Sequence, residues 1–158
     1  MKPPVFLPKD LRARLIANGK AGRELDHVPV LKIMDPLGPA TWLITEIRPD
    51  DPDVFYGLIF DPFEERGPCL GYDRLSVLQA KKGTMGEPLE RDARFEPRYP
   101  LSVYKVAARI IGRVTEDIET LYLVATNLGI RPVGPLSNSA AHQRNRAKPP
   151  ARKPRPKP

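Results

Sequence analysis

The sequence predicts an α+β fold: a mainly antiparallel sheet of four to five strands with helices packed on one face, followed by a disordered basic tail. Three observations carry this. Short runs rich in β-branched and aromatic residues alternate with clusters of Pro, Gly and Asp, as strands joined by turns do. Apolar residues recur at helical spacing near the N-terminus and again over 100–128. From Arg131 onward apolar side chains give out, so that stretch cannot bury enough surface to offset the entropy of ordering.

Residues 1–8 hold three prolines and read as an extended lead-in. The stretch 9–18 reads as a helix, with Asp10 in its first turn, Leu11 and Leu15 four apart, and Asn18-Gly19 as a left-handed stop. After a polar loop, strands are expected over 28–34 and 40–47, joined as a hairpin by the turn DPLGP. A third strand over 54–60 is apolar on both faces and therefore central. A brief edge strand at 69–72 precedes a short helix capped by Asp73, with Leu75 and Leu78 inward. Residues 89–96 alternate strictly, Leu89, Arg91, Ala93 and Phe95 against Glu90, Asp92, Arg94 and Glu96, which predicts a half-buried strand.

The clearest helix covers 100–114. Ser102 is its expected cap, and Val103, Val106, Ala107, Ile110, Ile111 and Val114 form one stripe. The same phase continues through Ile118, Leu121, Tyr122, Ala125 and Leu128, and this second stripe is expected to be buried. One unbroken helix would be about 40 Å long at ~1.5 Å per residue, longer than a small core. A break near 112–115 and a separate helix over 116–128 are expected instead. The organisation is then one globular domain at 1–130 and a Pro/Lys/Arg-rich tail at 131–158.

Charge sharpens that division. The chain has 158 residues, 26 Lys plus Arg, 19 Asp plus Glu, and a net charge of +7. Eight of the basic residues and none of the acidic ones follow Ile130, which leaves residues 1–130 with 18 against 19, a net of −1. The basic character belongs to the tail. One cysteine excludes a disulfide framework, and two histidines exclude a His-rich metal centre. No run approaches the ~18 apolar residues of a membrane span, and Met-Lys-Pro-Pro opens no secretory signal. A cytoplasmic protein without membrane contact, metal or cofactor is expected.

No Walker loop, Gly-x-Gly-x-x-Gly, Cys-x-x-Cys, His-Glu-x-x-His or Gly-x-Ser-x-Gly pattern occurs. His27 beside Asp26 has the form of a base with an orienting carboxylate, but a polar residue leading into a strand is the simpler account. Cys69 lacks an activating neighbour in sequence and reads as a structural thiol. Asp50, Asp51, Asp53, Asp61, Glu64 and Glu65 are the residues a metal-dependent nuclease or hydrolase would use, yet Asp among prolines is ordinary turn chemistry. Trp42 with Tyr56 has the makings of a base-stacking platform, although strand aromatics usually belong to a core. The strongest chemical signal is the tail: Arg144, Arg146, Lys148, Arg152, Lys153, Arg155 and Lys157 interleave with five prolines and suit non-specific phosphate contact.

Several blocks together resemble a family of bacterial proteins of unknown function found on plasmids, integrative conjugative elements and related mobile DNA. They are LRARLIANG (11–19), DHVPVLKIMDPLGPATWLITEI (26–47), DPDVFYGL (51–58), LGY (70–72), LERDARFEP (89–97) and PLSVYKVAARIIGR (100–113). The resemblance covers a core of residues 8–113; the helix at 116–128 and the tail lie outside it. It implies an accessory gene of a mobile element and supplies no reaction. Asp26, Lys32, Thr45, Glu46, Arg91 and Asp92 look like family features, fitting either a site or a network supporting the sheet. The family often shows Pro-Glu before Leu-Gly-Tyr, where this chain has Pro68-Cys69.

The expected function is a non-enzymatic accessory protein with a protein-binding body and a tail giving nucleic-acid association. The alternative is a metal-dependent nuclease using the loop carboxylates. The helix over 116–128 is the expected surface for a protein partner or self-association.

Overall fold

The β-branched runs pair with one another through the short turns that separate them, and the amphipathic stretches cover the sheet they form. A computed structural model describes residues 6–133. In chain order they form α1 (Lys9–Ala21), β1 (Leu31–Met34), β2 (Thr41–Ile47), β3 (Val54–Phe60), β4 (Cys69–Arg74), α2 (Leu75–Ala80), β5 (Glu90–Arg91), α3 (Leu101–Ile111) and α4 (Ile118–Leu128). The sheet order is β4-β3-β2-β1-β5, antiparallel throughout. The expected α+β class and antiparallel sheet are therefore present.

The helices divide between both faces and are not confined to one. Trp42, Ile44 and Phe55 pack with Leu15 of α1 and with Leu75 and Leu78 of α2. Leu43 and Leu58, on the opposite face, pack with Val103, Tyr104 and Ala107 of α3 and Leu121, Val124 and Ala125 of α4. Two layers follow from the central strands being apolar on both sides.

One irregularity decides which way the polar end of β2 points. Ile44 opposes Gly57 and Glu46 opposes Tyr56, so Thr45 is an extra residue in the ladder. Strict alternation would turn Glu46 toward Leu15 with Trp42 and Ile44. The bulge puts Glu46 on the Tyr56 side and returns Ile47 to the α1 core opposite Phe55. Asn18 Nδ2 donates to the Thr45 carbonyl at 2.8 Å, and Thr45 Oγ1 donates to the Tyr56 carbonyl at 3.2 Å. Gly57 opposite the bulge has no room for a side chain, since a Cβ would lie 2.1 Å from the Leu43 carbonyl oxygen.

Several local expectations are corrected by the contacts these residues make. α1 runs past Asn18-Gly19 to Ala21 because Gly19 serves close approach instead: its Cβ would meet the Ile47 carbonyl oxygen at 2.0 Å. Asp53, not Asp73, caps α2, accepting from Ser76 N–H at 2.9 Å and Ser76 Oγ at 2.7 Å. Only Glu90–Arg91 of the alternating stretch pairs with β1, because the Asp92 carboxylate accepts from Arg94 N–H and turns the chain away. The last helix starts at Ile118 and not at 116, because Asp117 caps it through Thr120 N–H.

The apolar stripes are buried in part. On α3, Ile110 and Ile111 are exposed; on α4, Leu121 and Ala125 are buried while Ile118, Tyr122 and Leu128 face solvent. Among the described residues no helix is long and apolar enough to cross a membrane.

Candidate binding cleft

The six polar residues marked by the resemblance separate into two groups. Lys32, Arg91 and Asp92 lie at the β1–β5 edge, lining a cleft of about 370 Å³. Asp26, Thr45 and Glu46 lie around the β2 bulge, where two smaller clefts of about 120 and 290 Å³ meet at Arg23.

The first group is a closed network. Lys32 Nζ donates to Asp92 Oδ2 at 3.1 Å and to Glu116, and sits 6.0 Å from the Phe95 ring centroid. Burial pulls the ammonium down, but the hydrogen bonds and charges of Glu116 and Asp92 outweigh it and hold Lys32 above its ordinary value. Glu116, just before α4, thus ties the last helix to β1.

The second group is built on a backbone turn. Asp26 adopts a left-handed conformation, with φ 51°, which aims its side chain at the start of α3. Its carboxylate accepts from Ser102 N–H at 3.0 Å and from Ser102 Oγ at 2.5 Å, while the His27 carbonyl accepts from Leu101 N–H at 3.0 Å. Asp26 therefore caps α3 from 76 residues away, the role expected of Ser102. It does not orient His27, whose Nε2 meets the Gly22 carbonyl at 2.7 Å.

Beside this cap, Tyr56 and Tyr72 face each other across β3 and β4, with ring centroids 5.1 Å apart. The Arg23 guanidinium lies 5.4 Å from both centroids and donates to Tyr72 Oη at 2.8 Å. Lys105 of α3 completes the wall of the smaller cleft. Glu46 lines the larger one and is only 6% exposed; one of its carboxylate oxygens is fully enclosed with no hydrogen-bond partner among the described residues. Burial pushes the Glu46 carboxyl up, partly opposed by the charges of His27 and Arg23. A buried acceptor left unmet costs free energy unless a ligand supplies the donor.

Arg23, Tyr72 and Lys105 were not named as site residues from sequence, and Ser102 was read only as a helix cap. Tyr72 falls in the LGY block and Ser102 and Lys105 in the block over 100–113, whereas no block covers Arg23. Trp42 is core, 1% exposed, so the platform imagined with Tyr56 is formed by Tyr72. Cys69 is half-buried in β4 opposite Ile59.

Three of the six loop carboxylates, Asp51, Asp53 and Asp61, accept backbone N–H groups. Asp50 takes a two-point contact from Arg48, which keeps it below the usual carboxylate range. Asp51 faces Arg74 at 3.3 Å, Asp53 caps α2, and Asp61 accepts from Phe63 N–H and faces Lys81 at 2.5 Å. Glu64 leans toward Arg66 at 3.8 Å, and Glu65 is exposed. The seven tail cations, Arg144 to Lys157, lie outside the described residues.

Fold and site together define an α+β module with an ion-paired Lys32 network at one sheet edge and the Arg23, Tyr56 and Tyr72 cluster toward the other. The chain belongs to the family described as protein of unknown function DUF2958, whose model matches residues 6–115. No curated protein and no solved structure matches it.

Proposed function

We propose that this chain is a non-enzymatic accessory protein of bacterial mobile DNA, acting in the cytoplasm, with a body that binds protein and a tail that associates with nucleic acid. The charge partition carries the reading: residues 1–130 net −1, while eight cations and no acids follow. Lys and Arg side chains attract phosphates, which carry no sequence information, without reading base edges. The ordered blocks over 8–113 support the mobile-element context. Exposed Ile118, Tyr122 and Leu123 of α4, with Ile110 and Ile111 of α3, supply apolar surface for a protein partner. The nuclease alternative is less well supported, because Asp51, Asp53 and Asp61 serve as turn and cap acceptors.

Fluorescence anisotropy with random and mobile-element duplexes, on the full chain and a 1–139 truncation, tests this. Binding is expected at roughly 10⁻⁴–10⁻⁶ M at physiological salt, indifferent to sequence, with a salt slope no steeper than about −6. The truncation should lose it. Equal duplex binding by the truncation would move the site into the body and refute the assignment.

A further inference from the structure

α3 and α4 leave the Tyr56–Tyr72 end of their sheet face partly open. Tyr72 keeps 49% of its surface in solvent, on the edge strand β4. Arg23, clamped over both rings, presents a guanidinium plane whose position is set by the Tyr72 hydroxyl. Aromatic faces and guanidinium planes are the surfaces on which unpaired bases stack. Arg109 follows Lys105 by four residues on α3, so the basic side chains continue past the cleft along one helix face.

The chemistry of the surface narrows the ligand. A bare anion suits Arg23 and Lys105 but makes no use of the half-exposed Tyr72 ring. A nucleotide in a single strand carries both matching parts, a phosphate and a free π face. In a duplex the faces are stacked on one another, so only an unpaired strand offers the two together.

We propose that Arg23, Tyr56, Tyr72 and Lys105 form a stacking site for an unpaired base of single-stranded nucleic acid. This rests on the nucleic-acid reading above and adds a strand preference that the tail cannot supply, since its cations meet phosphates alone.

The test uses the full chain and anisotropy with three probes: a fluorescein-labelled oligothymidylate, an abasic strand of equal length, and a matched duplex. The wild type should favour oligothymidylate over both others. Tyr72→Ala should weaken oligothymidylate binding roughly tenfold, as loss of one stacked base does, and leave the duplex unchanged. Tyr72→Phe keeps the ring but releases Arg23, and should lose less binding than Tyr72→Ala. Lys105→Ala, a surface change that does not threaten folding, should weaken oligothymidylate binding about threefold, the loss of one phosphate contact. Equal affinity for oligothymidylate and the abasic strand, or no effect of Tyr72→Ala and Lys105→Ala, overturns the stacking site and leaves the tail assignment intact. Failure of the tail assignment shows separately, as undiminished duplex binding by the 1–139 truncation.

Discussion

At the β1–β5 edge Lys32 is enclosed by Asp92, Glu116 and Phe95, whereas at the β2 bulge Glu46 is enclosed with one oxygen unmet. Both are charged residues in the middle of apolar strands, and neighbouring sequence marks both equally. The difference is what surrounds them. Lys32 links three elements, and its removal leaves two carboxylates facing each other. Glu46 makes no side-chain hydrogen bond among the described residues, so its removal releases a desolvated group. Buried polarity that joins elements holds the fold, whereas a buried acceptor without a donor costs it free energy.

The largest expected effect breaks the closed side. Lys32→Met should destabilise the fold by about 2 kcal/mol in urea melts, because Asp92 and Glu116 lose their shared donor. An unchanged midpoint would show the network to be ornamental. Next comes the cap joining the open side to α3. Asp26→Ala should cost about 1 kcal/mol, since two donors at the helix start lose their acceptor. Asp26→Asn, which keeps an acceptor oxygen, should recover most of that loss.

The smallest effect sharpens the open side. Glu46→Gln should leave stability unchanged or slightly raised at neutral pH. The sign follows from the upward shift of the folded carboxyl from 4.5: the native state favours the protonated form. That contribution is fully present below 4.5 and is lost as pH rises through the raised value. Melts of wild type and Glu46→Gln across the acidic-to-neutral range should therefore show the gap in favour of Gln opening as pH rises. The Lys32 ammonium, held above 10.5, adds no slope there. A gap independent of pH would mean that Glu46 is solvated in the native state.

Local sequence determined the elements that draw on neighbouring residues. The strand over 54–60 matches Val54–Phe60, and the second helical stretch breaks at Gly112, resuming at Ile118 and closing at Gly129. Periodicity, turn residues and left-handed glycines act within a few positions, so they are readable in order along the chain. What needed the tertiary structure involves partners far apart. Asp26 reaches Ser102 across 76 residues, Arg23 reaches Tyr72 across 49, and Lys32 reaches Glu116 across 84. The facing of Glu46 was hidden for a related reason. A single inserted residue reverses every later side chain in a strand, and the demand for it comes from Gly57 on the opposing strand and Asn18 on α1. Composition announced the buried strand; only packing decided which of its residues would be left holding an unmet charge.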